Sequence, residues 1–165
     1  MRHGFELQLL FFLVWFSGCR AATPGLDEAE PGEPARLAIE RTLDDWHRAA
    51  SQADGPGYFG RMADGAIFLG TDATERWTRD QFRDYCEPYF SAGRGWTYEP
   101  RERHVFVSGT TAWFDERLWN DKYGECRGTG VLAERAGEWK LVHYSLTLPI
   151  PNELASQVVT LIRER

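Results

Sequence analysis

The chemistry in this chain starts from His104, Asp115 and His143. A carboxylate that accepts from one imidazole nitrogen fixes the tautomer and leaves the other nitrogen poised as a base near neutral pH. Turn geometry suggests how the three meet. Ser108-Gly109-Thr110-Thr111 reads as a two-residue hairpin that pairs Ser108 with Thr111, and counting back along both strands sets His104 opposite Asp115. The polar turn at 120–125 is read as setting Asp115 against Gly130, and the tight hairpin at 135–138 as setting Gly130 against His143. Because Gly128 and Gly130 share that face, where missing side chains leave room, the row is expected to look inward. His143, about 9–10 Å from Asp115 at the backbone across two strand spacings, is placed as the complementary acid.

Alternation then fills the same face. Phe106, Trp113, Leu132 and Leu141 make an apolar floor, while Glu102, Arg117, Gly128 and Ser145 make a polar end. Arg117 and Ser145 are positioned to hold a carbonyl or carboxylate, and Tyr58, Trp77 and Trp96 to line the mouth. The bland alternative is a structural hydrogen bond between His104 and Asp115, with the rings belonging to the core. Two histidines and an aspartate are also a mononuclear metal set, but no tight ligand spacing supports one, so neither metal nor cofactor is expected.

The elements that must position these residues follow from periodicity. Ile39, Leu43, Trp46 and Ala50 repeat at helical spacing over 35–53, stopped by Asp54-Gly55-Pro56-Gly57. A short turn follows over 58–62, then a strand at 66–69. Thr78-Arg79-Asp80-Gln81 is a capping box opening a helix with Phe82, Tyr85, Cys86, Tyr89 and Phe90 on one face, which Pro88 should kink or shorten. A long strand at 96–107 carries His104. Asn152 can cap a last helix bearing Leu154, Val158, Leu161 and Ile162.

Helices followed by a block of antiparallel strands imply an α+β fold. Phe68-Leu69-Gly70-Thr71-Asp72, Ala112-Trp113-Phe114-Asp115-Glu116, the run 123–132 and Trp139-Lys140-Leu141-Val142-His143-Tyr144 resemble the SnoaL-like branch of the nuclear transport factor 2-like superfamily across 35–151. The resemblance implies a cone: a curved antiparallel sheet with about three helices on its concave face, a pocket between them, and a dimer through the outer sheet face. It implies no single reaction, since the superfamily includes isomerases, cyclases, dehydratases and association domains.

On the face expected to look outward, Val105, Phe114, Val131 and Val142 form an apolar row flanked by Tyr144 and Leu146. Such a stripe calls for a homodimer, with Arg103 and Glu116 as rim pairs, or for the C-terminal helix as its cover.

The first eighteen residues read as a secretory signal, and Phe16-Ser17-Gly18-Cys19 resembles a bacterial lipoprotein signal. The resemblance implies a lipid on Cys19 and an exported, membrane-anchored protein, at the outer membrane or in the periplasm where the source has two membranes. An ordinary cleaved signal or an uncleaved anchor is the alternative. A Pro-, Gly- and Glu-rich tether covers 19–34 and one domain covers 35–165. The net charge of −6, with no basic run, argues against nucleic acid and against membrane contact other than through the lipid. Cys86 and Cys126 read as two buried thiols, though an exported protein could join them.

The sequence therefore points to an envelope lipoprotein that binds a small, partly apolar molecule in its cup. The alternatives are an acid-base enzyme using Asp115 and His104, and a purely structural dimeric module.

Overall fold

The computed structural model describes residues 32–164; the signal segment, Cys19 and the tether as far as residue 31 lie outside the described residues. Pro34, near the start of α1 (Glu33–Ser51), costs no hydrogen bond there, because the first helical N–H groups have no intrahelical partner. The expected stripe of Ile39, Leu43, Trp46 and Ala50 is buried. A second short helix, α2 (Gly55–Gly60), is capped by the Asp54 side chain and begins three residues before the expected turn.

β1 (Met62–Leu69) hairpins into β2 (Arg76–Thr78), a short strand that three residues of sequence do not announce. Thr78 then caps α3 (Arg79–Phe90): its hydroxyl accepts from the Gln81 N–H, and Gln81 Oε1 accepts from the Thr78 N–H at 2.9 Å. Pro88 falls in the last turn, so it forfeits little of the hydrogen-bond ladder and the helix stops two residues later.

Four strands complete the sheet: β3 (Glu99–Ser108), β4 (Thr111–Asn120), β5 (Gly124–Arg135) and β6 (Glu138–Thr147), in the spatial order β2-β1-β6-β5-β4-β3. All neighbours are antiparallel except β1 and β6, which run parallel, so the expected all-antiparallel sheet is corrected at that pair. Of the two edges of the hairpin block, β6 is the one that takes β1.

Two of the three turns pair as expected, and the third decides the molecule. Ser108 faces Thr111 and Arg135 faces Glu138, so His104 does lie opposite Asp115. Between β4 and β5, however, Asn120 pairs with Gly124, leaving a three-residue loop. Asn120 Oδ1 accepts from the Lys122 and Tyr123 N–H groups, and Gly124 takes φ +73°, a left-handed conformation that suits glycine. Asp115 therefore meets Thr129, and Gly130 meets Phe114. A further irregularity between Val131 and Leu132 sets Gly130 against Tyr144 instead of His143. One residue of slip reverses which side chains share a face.

The helices cover the face that carries Phe114, Glu116, Leu118, Leu132, Leu141 and Tyr144, all buried. Gly128 and Gly130 are on this face, as the sequence argument requires of them. A Cβ on Gly128 would strike the Tyr144 hydroxyl and Glu116, and one on Gly130 would strike the Phe114 ring. The stripe of Val105, Phe114, Tyr144 and Leu146 is thus interior; of the expected outer row Val131 belongs to the outer face, and half-buried Val142 sits at the irregularity opposite Val131 and Leu132. Covering by the C-terminal helix is corrected too. After a single 3-10 turn (Asn152–Leu154), α4 (Ala155–Arg163) contributes nothing to the core and is exposed except at Val158. Cys86 and Cys126 are separate buried thiols, and burial pushes Cys86 up to about 12.

Candidate functional site

β4 alternates strictly. Ala112, Phe114, Glu116 and Leu118 are buried, while Trp113, Asp115, Arg117 and Trp119 are exposed. A carboxylate in the middle of an apolar face must be paired to be tolerated. Glu116, 1% exposed, meets His47 Nε2 of α1 at 2.8 Å through Oε1 and Arg103 Nε of β3 at 2.9 Å through Oε2. Since an ionised carboxylate only accepts, the His47 Nε2 carries the proton of that bond. The Tyr144 hydroxyl donates to Oε1 at 3.4 Å, and Arg103 Nη1 reaches Asp44 at 2.7 Å. Burial pushes the Glu116 carboxyl up, but the His47 bond and charge, with Arg103 behind them, outweigh it and hold the group below the usual carboxylate range. Burial likewise pushes the Tyr144 phenol well above its ordinary value, and the neighbouring Glu116 adds to it.

The row expected to do chemistry lies on the other side. His104 is exposed, with Nε2 3.3 Å from Glu102 Oε1, and Arg117 Nη1 is 3.1 Å from Glu102 Oε2. Asp115 shares a shallow outer groove with these groups and Arg127. His143 pairs with Val131 and Ile67 on the same outer face, and Ser145 with Thr129 and Leu69. Trp113 stacks on Phe106 in the open, ring centroids 5.7 Å apart. The structure therefore does not bring His104, Asp115, His143, Trp113, Arg117 or Ser145 into the cup. Tyr58 is also displaced from its expected place at the mouth: it is 2% exposed and stacked on Trp46 at 4.8 Å, deep in the core. Trp77 and Trp96 are where they were expected.

Those two tryptophans line a cavity of about 620 Å³ at the wide end of the cone, within the span typical of small-molecule sites. β1 delivers Phe68, and Gly70 and Thr71 beyond it; β2 delivers Trp77; α3 delivers Phe82, Tyr85 and Tyr89. Trp77 stacks on Phe82 at 5.3 Å and on Tyr85 at 5.1 Å, and those two rings stack on each other at 6.3 Å, so the wall is a packed ring layer and not a set of loose side chains. The stretch before β3 adds Trp96 and Tyr98, and the end of β4 with the loop after it closes the rim with Trp119 and Tyr123. Asn120 ties those two segments together, its Nδ2 donating to the Thr97 carbonyl at 2.8 Å. The same side chain that shifts the register thus also shapes the mouth.

Glu116, His47 and Arg103 do not line this cavity. Tyr144 stands between, its ring 5.5 Å from that of Phe68. The polar cluster is a sealed support beneath an aromatic cup. Among the described residues no group of three His, Cys, Asp or Glu side chains converges as a metal site. The sequence signal for the cluster was available: His47 lies four residues after Leu43 on the apolar stripe of α1, and Glu116 interrupts an apolar alternation. Nothing local marked Glu75, Tyr85 and Tyr98 as cavity residues, because three separate elements bring them together.

Residues 39–151 match the SnoaL-like domain family. No curated protein matches the chain. Among solved structures, an NTF2-like protein of unknown function from Pseudomonas putida superposes with a TM-score of 0.63 at 18% identity, covering 74% of this chain and 92% of that one. A candidate scytalone dehydratase from Novosphingobium aromaticivorans gives 0.60 at 16% identity, over 71% and 85% of the two chains. A candidate calcium/calmodulin-dependent protein kinase II association domain from Xanthomonas campestris gives 0.53 at 20% identity, over 73% and 90%. These likenesses share the fold and carry different labels, so the function has to be argued from the site.

Proposed function

We propose that this chain, which belongs to the SnoaL-like domain family of the nuclear transport factor 2-like superfamily, binds a small, partly apolar molecule in its cup. The fold is that of a ligand-binding or enzymatic domain, and the observation that carries the binding reading is the aromatic cavity itself. Nine of its lining residues are aromatic, which gives a flat apolar group many faces to stack on. Among the described residues that line it there is no histidine. The buried carboxylate below it is held by the Arg103 guanidinium and the His47 N–H and is a weak base, and His104 with Asp115 lies on the far side of the sheet. The reading is tested by titrating the domain with 2-naphthol and following the fluorescence of Trp77 and Trp96. Saturable quenching, weakened about tenfold by Trp77→Ala, is the expected result. Linear, non-saturating quenching in the wild type would overturn it.

The domain is held at an envelope membrane by a lipid on Cys19, facing the periplasm where the source has two membranes. Support comes from the sequence, with its apolar leader and Phe16-Ser17-Gly18-Cys19. Membrane fractionation unchanged by Cys19→Ser would remove this part.

Two copies pair through the outer sheet face. Support comes from Phe106 and Trp113, 38% and 39% exposed and stacked together beside Val131. Arg103 and Glu116 are not available as rim pairs, being bonded to each other inside the cone. Sedimentation at tens of micromolar should show a dimer that Trp113→Glu dissociates; a monomeric wild type sinks the pairing.

A further inference from the structure

Carboxylates outnumber cations in the lining of the cup, although one of them, Glu99, already pairs with Arg101 at 2.9 Å. Of its ionisable lining residues other than tyrosine, Glu75, Glu99 and Asp121 are carboxylates and Lys122 alone is cationic. Lys122 is already engaged with a ring, its ammonium 4.7 Å above Tyr123. Arg94 sits over Tyr89 in the same way at 5.2 Å. The chain itself thus places cations on two of the rings that line the cavity.

Glu75 is the carboxylate that stands among the rings. It is partly buried, and the Asp72 N–H donates to its Oε2 at 3.1 Å, which fixes the side chain against the turn after β1. Its charge is felt by the Tyr85 and Tyr98 phenols, both raised first by burial and then by their neighbours, Glu75 included. Those phenols remain neutral at physiological pH and present electron-rich faces. Among the described residues no arginine, lysine or histidine pairs with Glu75. The contrast with Glu116 is direct: the deeper carboxylate is held by Arg103 and His47, and among the described residues the one in the cup has no such partner.

An occupant that brings a positive charge would stack on the rings and pair with Glu75 together. A neutral occupant would shield Glu75 from water and leave it unpaired, and an anion would meet it as a like charge. We infer that the cup takes an organic cation, an amine or quaternary ammonium carried on an apolar body. The inference rests on the cup being a ligand site, as proposed above.

The test compares three probes with one skeleton and different charge, titrated into the domain at low, fixed ionic strength: benzyltrimethylammonium, the neutral 2-methyl-1-phenylpropan-2-ol, and the anion 2,2-dimethyl-3-phenylpropanoate. The cation should bind at least about tenfold more tightly than the alcohol, and the anion least. Glu75→Gln, which keeps an acceptor for the Asp72 N–H, should bring the cation to within about threefold of the alcohol, by weakening the cation and by relieving the cost of shielding a bare carboxylate beneath the alcohol. Wild-type protein that binds the alcohol or the anion as tightly as the cation overturns the charge preference and leaves the cup standing. Full selectivity retained in Glu75→Gln overturns the role of that carboxylate. If none of the three probes saturates up to millimolar concentration, the cup reading falls with the inference.

Discussion

Asp115 and Glu116 are consecutive carboxylates on one strand, and the sheet gives them opposite lives. Asp115 stands in water on the outer face among Glu102, His104 and Arg117, where ion pairs are solvent-screened and contribute little. Glu116 is sealed from solvent, bonded to His47, Arg103 and Tyr144. The same functional group is a decoration in one place and a structural keystone in the other. The difference comes from desolvation: out of water each lost hydrogen bond leaves a bare charge, whereas at the surface water replaces whatever is removed.

The widest gap should appear on truncation. Glu116→Ala leaves Arg103 buried beside spare donors, its Nη2 being already without a partner among the described residues, and should destabilise the domain by about 3–5 kcal/mol in urea unfolding. Asp115→Ala should stay within about 0.5 kcal/mol of wild type. Similar costs for the two would erase the distinction between the faces.

Next comes the space above the cluster. Gly128→Ala pushes a methyl group into the Tyr144 hydroxyl and Glu116 and should cost about 1–3 kcal/mol by the same measurement. A neutral outcome would mean that the cluster is loosely held.

Acid should separate the two carboxylates without any change in packing. Glu116 is lower in the folded protein than in the unfolded chain, so its contribution is fully present above the ordinary carboxylate range and is lost as pH falls through its depressed value. Glu116→Gln should flatten that acid limb of stability, and Asp115→Asn should leave it in place. A limb that survives Glu116→Gln would assign it to other carboxylates. The smallest effect belongs to His104→Ala, within about 0.5 kcal/mol and with no change in 2-naphthol binding, because its imidazole is exposed and meets Glu102 at the surface.

Much of this was legible in the residues. The stripe of α1, the capping box at Thr78 and Gln81, and the hairpins at Gly109 and at 136–137 are interactions between neighbours in sequence, and each formed as its residue types require. Even the face of the glycines was right: Gly128 and Gly130 do mark the crowded interior. The candidate site went astray at Asn120. Its carbonyl oxygen gathers two backbone N–H groups and Gly124 enters the strand, so the loop holds one residue fewer than the pattern of polar residues suggests. Every residue of β3 and β4 then changes sides relative to β5.

What the sequence determined by itself was the α+β order of elements, the family, and the aromatic stock from which a cup is built, because periodicity, caps and turn residues act over a few positions. Which carboxylate is buried, which histidine it meets and which rings enclose the cavity were decided only by the tertiary structure. His47 and Glu116, or Glu75 and Tyr98, are brought together across the fold. Their meeting depends on strand register and on which face the helices cover, and a single residue of loop length changes both.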